Sequence, residues 1–206
     1  MGGGVDGQRE ERRERARRIR TQFPPFEIAE YGRGSRGEPL HAHIFKPPHG
    51  TPAVGGCLLL FHGSGFAFQM AEALYARCAA LAQCGIVAIS CTYSILPVDL
   101  YTELEGGWGT AAVGSRRLLM SADEHSDVFE VRMPAVITRA CHDGRAALAY
   151  VKGRAAELGV DAQKIGVCGT SAGGALAKGM VFGSGYGART RTLRSDHSDA
   201  VLVLNC

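Results

Sequence analysis

Ser171 lies in Gly169-Thr170-Ser171-Ala172-Gly173. An apolar run precedes this Gly-x-Ser-x-Gly segment and a helix-compatible stretch follows it, so the serine hydroxyl would sit at the tip of a sharp strand-to-helix turn. The chemistry this allows is attack of a serine oxygen on an acyl carbon. Gly169 and Gly173 suit a turn in which neighbouring backbone leaves no room for Cβ atoms. Ala172 would offer its N–H to the oxyanion formed in such an attack. A second segment, His62-Gly63-Ser64-Gly65, follows the apolar run Cys57–Phe61. Its consecutive N–H groups can converge on one point, which in acyl transfer is where negative charge develops. Alone, each segment reads as a glycine turn. Together they favour an acyl-transfer site with Ser171 as nucleophile, Ser64, Gly65 and Ala172 as oxyanion donors, and His62, Gly63, Gly169 and Gly173 as the supporting motif.

A serine of this kind needs a histidine to take its proton and a carboxylate to orient that histidine. After Ser171 the acids are Asp196 and Asp199, and the histidine is His197. They precede Ala200–Leu204, which reads as a further parallel strand. The amino end of such a strand faces away from the site, so no triad is assigned to them. His41 and His43 alternate along an expected strand, with His49 beyond, and read as structural or solvent-facing. His125 stands with Asp123, Glu124 and Asp127 in a segment without periodicity, and the spacing matches no metal motif. No metal or cofactor is expected, because serine acyl transfer requires none.

The elements that must hold these groups alternate in type. Strands are expected over Phe26–Tyr31, Leu40–Phe45, Cys57–Phe61, Ile86–Cys91, Lys164–Cys168 and Ala200–Leu204. Helices are expected over Met70–Gln83, Val136–Leu158 and Ala172–Phe182, with Gly85 and Gly159 as stops. The pattern implies an α/β fold with a mostly parallel sheet covered on both faces. Leu96–Ala135 lacks a pattern and reads as an insertion, with Trp108 its one large aromatic. Gln8–Arg20 holds seven Arg and three Glu, and the rest of the chain 16 Lys+Arg against 17 Asp+Glu. The basic character therefore belongs to residues 1–22, read as a disordered or helical tail, and no nucleic-acid partner is expected. No run approaches the roughly 18 apolar residues of a membrane span. The seven cysteines show no paired spacing and most read as reduced core residues, favouring a cytoplasmic protein.

Three blocks resemble the α/β-hydrolases, in particular the hormone-sensitive-lipase-like and the acetyl- and feruloyl-esterase-like (BD-FAE-like) serine esterases. Phe61–Phe66 is similar to their His-Gly-Gly-Gly loop. Val87–Pro97, with Tyr93, is similar to their Tyr-Arg-Leu-Ala-Pro segment. Cys141–Gly174 is similar to their helix, strand and elbow. Ser64 stands where the family has glycine, Ser94 where it has arginine, and Thr170 where it often has an acid. The resemblance implies a carboxylesterase-like serine hydrolase acting on a small ester, with Asp143 in a structural role. It also implies an incomplete hydrolase domain over residues 23–206, the C-terminal part missing and the chain truncated after the elbow helix and the next strand. Two other readings stay open: a pseudoenzyme or inactive fragment that acts by binding, and a nucleic-acid-binding role for the Arg-rich tail.

Overall fold

The computed structural model describes residues 21–96, 133–182 and 199–204. The strands are β1 (Glu27–Arg33), β2 (Pro39–Phe45), β3 (Cys57–Phe61), β4 (Val87–Cys91), β5 (Ile165–Thr170) and β6 (Asp199–Leu204). A 3-10 turn, Ala71–Leu74, leads into helix α1 (Tyr75–Gln83), and α2 (Met133–Gly153), α3 (Ala155–Leu158) and α4 (Ala172–Phe182) follow. The six strands form one sheet in the order β1-β2-β4-β3-β5-β6.

β3 is the hub. It pairs in parallel with β4, Cys57 opposite Val87, and with β5, Cys57 opposite Ile165. Its composition explains the position, since Cys-Leu-Leu-Leu-Phe is apolar on both pleats. Leu59 and Phe61 face a cluster with Ile89, Val167, Ala140, Val151 and Leu176, which packs β3, β4 and β5 against α2 and α4. Leu60 faces the opposite cluster with Phe45, Ala88, Tyr75 and Cys78, under α1. Helices thus cover both faces. Burying each such Leu or Phe contributes about 1.5–3 kcal/mol.

The sheet is mixed rather than mostly parallel. β1–β2, β2–β4 and β5–β6 are antiparallel, and only the centre β4-β3-β5 is parallel. The last pairing corrects the expectation for Ala200–Leu204. β6 starts at Asp199 opposite Thr170 and ends at Leu204 opposite Ile165. An Ala-Val-Leu-Val-Leu run carries no direction of its own, because its pattern reads the same both ways.

Two helix expectations also shift. Met70–Gln83 opens as a 3-10 turn, and the long periodic helix is interrupted at Arg154 (φ −107°, ψ 12°). There Arg154 binds the Tyr150 hydroxyl, Glu157 and, at 3.0 Å, Glu27 of β1. Gly159 ends α3 in the left-handed region (φ 67°), as its place after Leu158 predicts. Residues 1–20, 97–132, 183–198 and 205–206 lie outside the described part, and with them most of the Arg-rich tail and of the expected insertion. Among the described residues no helix is long and apolar enough to cross a membrane. Cys57, Cys78, Cys91 and Cys141 are buried free thiols, as their apolar surroundings imply. Burial pushes the Cys57 and Cys78 thiols up to about 12.

Candidate active site

Parallel strands β3, β4 and β5 end on one side of the sheet, and the residues after them build the site. Ser171 is the single residue between β5 and α4. It is solvent-exposed and held at φ 53°, a left-handed conformation that a serine adopts only under constraint. The constraint is backbone contact. A Cβ on Gly169 would stand 2.2 Å from the Gly173 carbonyl carbon, and one on Gly173 would stand 2.1 Å from the Phe61 carbonyl oxygen. Both glycines are therefore required where the sequence places them, and α4 is pressed onto the end of β3.

Ala172 is buried as the first residue of α4, and first-turn amides have no partner within a helix. Its N–H is thus available beside Ser171, with the positive end of the helix dipole behind it.

The His62–Gly65 loop leaves β3 directly against this turn. A Cβ on Gly63 would stand 2.9 Å from the Thr170 carbonyl oxygen and 3.1 Å from Ser171 Cβ. The two motifs, distant in sequence, are therefore adjacent. Gly65 and Phe66 both adopt φ 61°. For Phe66 this is strained, and it is held by burial against Tyr93, ring centroids 5.9 Å apart, and by a 2.7 Å bond from Leu96 N–H to its carbonyl. The Ser64 carbonyl accepts from Ala67 N–H. Among the described residues no backbone carbonyl accepts from the Ser64 or Gly65 N–H.

His62 is buried and occupied. Its ring stacks on Tyr93, centroids 4.5 Å apart, and the Tyr93 hydroxyl donates to the His62 carbonyl at 2.5 Å. Its Nε2 meets Gln69 Oε1 at 3.1 Å. Burial depresses its pKa below the usual histidine value, outweighing the bonds to Gln69 and Gly63. It is a neutral anchor of the loop, not a proton acceptor for Ser171. Gln69 belongs to no sequence motif, and only the fold brings it to His62.

Ser94 N–H donates to Asp143 Oδ2 at 2.7 Å. Asp143 on α2 thus holds the segment after β4. Its carboxyl pKa is raised by burial first, opposed by the Ser94 hydrogen bonds.

The other histidines stand apart. His43 Nδ1 is 2.5 Å from the Tyr75 hydroxyl, and the His41 N–H donates to Thr92 Oγ1 at 2.8 Å. His125 with its acidic neighbours, Asp196 and His197 lie outside the described residues. The ground for setting His197 aside does not hold, because antiparallel β6 begins at Asp199 beside Thr170, on the Ser171 side of the sheet. Among the described residues no three His, Cys, Asp or Glu side chains gather as a metal site. Arg77 on α1 donates to Thr170 Oγ1 at 3.2 Å, which links α1 to the residue before Ser171. An open cleft of about 400 Å3 lies beside the site, bordered by Arg36, His41, Gln69, Glu72 and Thr92, and does not include Ser171.

Known structures share this fold. A thermophilic esterase from the planctomycete Thermogutta terrifontis, esterase 2, matches over 76% of this chain and 44% of its own, at 25% identity and TM-score 0.52. The chain has the α/β-hydrolase fold. Its butyrate-bound form matches at 25% identity, over 76% of this chain and 44% of its own, TM-score 0.51. The propionate-bound form matches over 84% and 50%, at 24% identity and TM-score 0.53. This α/β-hydrolase chain therefore spans about half the length of the esterases it matches. The BD-FAE family profile matches residues 125–193, which contain α2, α3, β5, the Ser171 turn and α4. The resemblance to BD-FAE-like esterases thus rests on the segment that carries the serine. No curated protein matches the sequence.

Proposed function

We propose that this α/β-hydrolase is a serine esterase in which Ser171 forms an acyl-enzyme. Ser171 Oγ attacks the ester carbonyl, and its proton passes to a general base. The oxyanion of the tetrahedral intermediate is met by the N–H groups of Ser64, Gly65 and Ala172. Collapse breaks the ester C–O bond, and the alcohol leaves with the proton. Water, giving a proton to the base, then attacks the acyl carbon, the Ser171 Oγ–acyl bond breaks, and the carboxylic acid leaves as the base returns the proton to Oγ. The observation that supports this reading is the close approach of Gly63 to Thr170 and Ser171, which brings the His62–Gly65 loop beside a strained, exposed serine. The butyrate bound to the thermophilic esterase supports a short acyl group. The test is hydrolysis of an aryl butyrate. Ser171→Ala is expected to remove it, and equal hydrolysis by the variant rules the reading out.

One observation favours a second reading, a hydrolase fold that binds without turning over. Among the described residues no histidine is bonded to Ser171, and His62 is committed elsewhere. Saturable binding of the aryl butyrate, unaltered by Ser171→Ala and without release of the phenol, would favour it.

A further inference from the structure

Gln69 is an exposed residue whose two amide atoms both turn inward. Its Nε2 donates to the Tyr93 carbonyl at 2.5 Å, and its Oε1 faces His62 Nε2 at 3.1 Å. Tyr93 closes the ring of contacts by donating to the His62 carbonyl and stacking on its imidazole. The segment after β3 is thereby tied to the segment after β4 through one side chain.

The bond to Tyr93 fixes which way the Gln69 amide points, since a carbonyl accepts only from its NH2 end. Oε1 must then face His62, and it can only accept. Nε2 of His62 therefore carries the hydrogen toward Gln69, while Nδ1 lies 3.4 Å from the Tyr93 oxygen, whose one hydrogen goes to the His62 carbonyl. A competing arrangement is built in. The Met70 N–H approaches the same Nε2 at 3.3 Å and would be satisfied only if Nε2 were bare. Gln69 thus decides between two tautomers of a buried ring.

That ring belongs to the residue immediately before Gly63, which rests on Ser171. From this geometry we infer that Gln69 is a positioning residue: by fixing His62 as its Nε2–H tautomer, it sets where the Ser64 and Gly65 N–H groups stand relative to Ser171. The role in catalysis rests on the esterase reading; the hold on the loop does not. The apolar isostere Gln69→Leu removes both bonds at an exposed position, so the fold survives. Gln69→Glu retains an acceptor facing Nε2 but gives up the donor to the Tyr93 carbonyl, so it separates the tautomer from the tie between the two segments.

The experiment is nitrogen NMR of the full chain labelled at histidine, with amide exchange at Ser64 and Gly65. The wild type is expected to show His62 protonated at Nε2. Gln69→Leu is expected to move the proton to Nδ1 and to speed amide exchange of Ser64 and Gly65 several-fold, while Gln69→Glu keeps the Nε2 proton. An Nδ1–H ring in the wild type, or unchanged exchange in Gln69→Leu, overturns the inference. With an aryl butyrate, Gln69→Leu is expected to lower kcat about tenfold with KM nearly unchanged, since loosening costs less than deleting an oxyanion donor. Failure of the esterase reading shows differently: the wild type does not hydrolyse the ester, while the tautomer and exchange results still decide the hold on the loop.

Discussion

The Ser171 turn and the His62–Gly65 loop face one another across the ends of β5 and β3, yet they are fixed by different means. The turn is fixed by backbone against backbone. Gly169 meets Gly173, and Gly173 meets Phe61, at distances that exclude any side chain. The loop is fixed by side chains: the His62 ring, the Tyr93 hydroxyl, the Gln69 amide and the Phe66 ring. Steric exclusion does not depend on solution conditions. A hydrogen-bonded network does, because its members titrate and exchange partners.

The sharpest break is Gly173→Ala. Its Cβ would lie 2.1 Å from the Phe61 carbonyl, and neither backbone can yield without moving α4 or β3. A loss of about 4 kcal/mol is expected in denaturant unfolding. A loss under about 1 kcal/mol would contradict steric fixation of the turn. Gly63→Ala comes next, because its nearest contact is 2.9 Å. About 2 kcal/mol is expected, with a larger proportional loss of ester hydrolysis than of stability. Loss of stability alone would mean that the loop does not address Ser171.

A pH change separates the two regions without mutation. Burial holds the His62 pKa below the usual histidine value. The unfolded chain therefore takes up this proton first as pH falls. The contribution of neutral His62 is complete above about 6.5 and is lost between there and the lowered folded value. Amide exchange at Ser64 and Gly65, corrected for its intrinsic pH dependence, is expected to gain on that at Gly169 and Gly173 over this window. Equal protection ratios at both pH values would erase the distinction.

The smallest effect expected is a gain. Ser171 holds φ 53°, so Ser171→Gly relieves strain while loosening the unfolded chain, a net stabilisation of about 0.5–1 kcal/mol. A melting temperature below that of the wild type would show that the turn is not strained at Ser171.

This difference in fixation explains what could be read from sequence. Steric demands leave glycines, so Gly169, Gly173 and Gly63 announced the turn and its neighbour directly. The β3 run Cys57–Phe61 and helix α4, Ala172–Phe182, were legible to the residue because each is apolar and bounded by a turn signal. His62 and Tyr93 were legible only as members of family-like segments, and their bonds to one another were not. A lone Gln at 69 and a Tyr at 93 find their purpose only when the ends of β3 and β4 come together. The direction of β6 was also hidden. Its unbroken apolar run carries no sense, and antiparallel pairing brought Asp199 to Thr170 against expectation. The break at Arg154 does not show in the periodicity, and one of the partners of its side chain, Glu27, is remote in sequence.

The central claim is that Ser171 is a nucleophile served by the amides around it. Intact mass and peptide mapping after exposure to a fluorophosphonate test it most directly. One adduct per chain, on Ser171 and absent from Ser171→Ala, is the predicted result. A chain that stays unmodified, or carries its adduct on another residue, would contradict the claim.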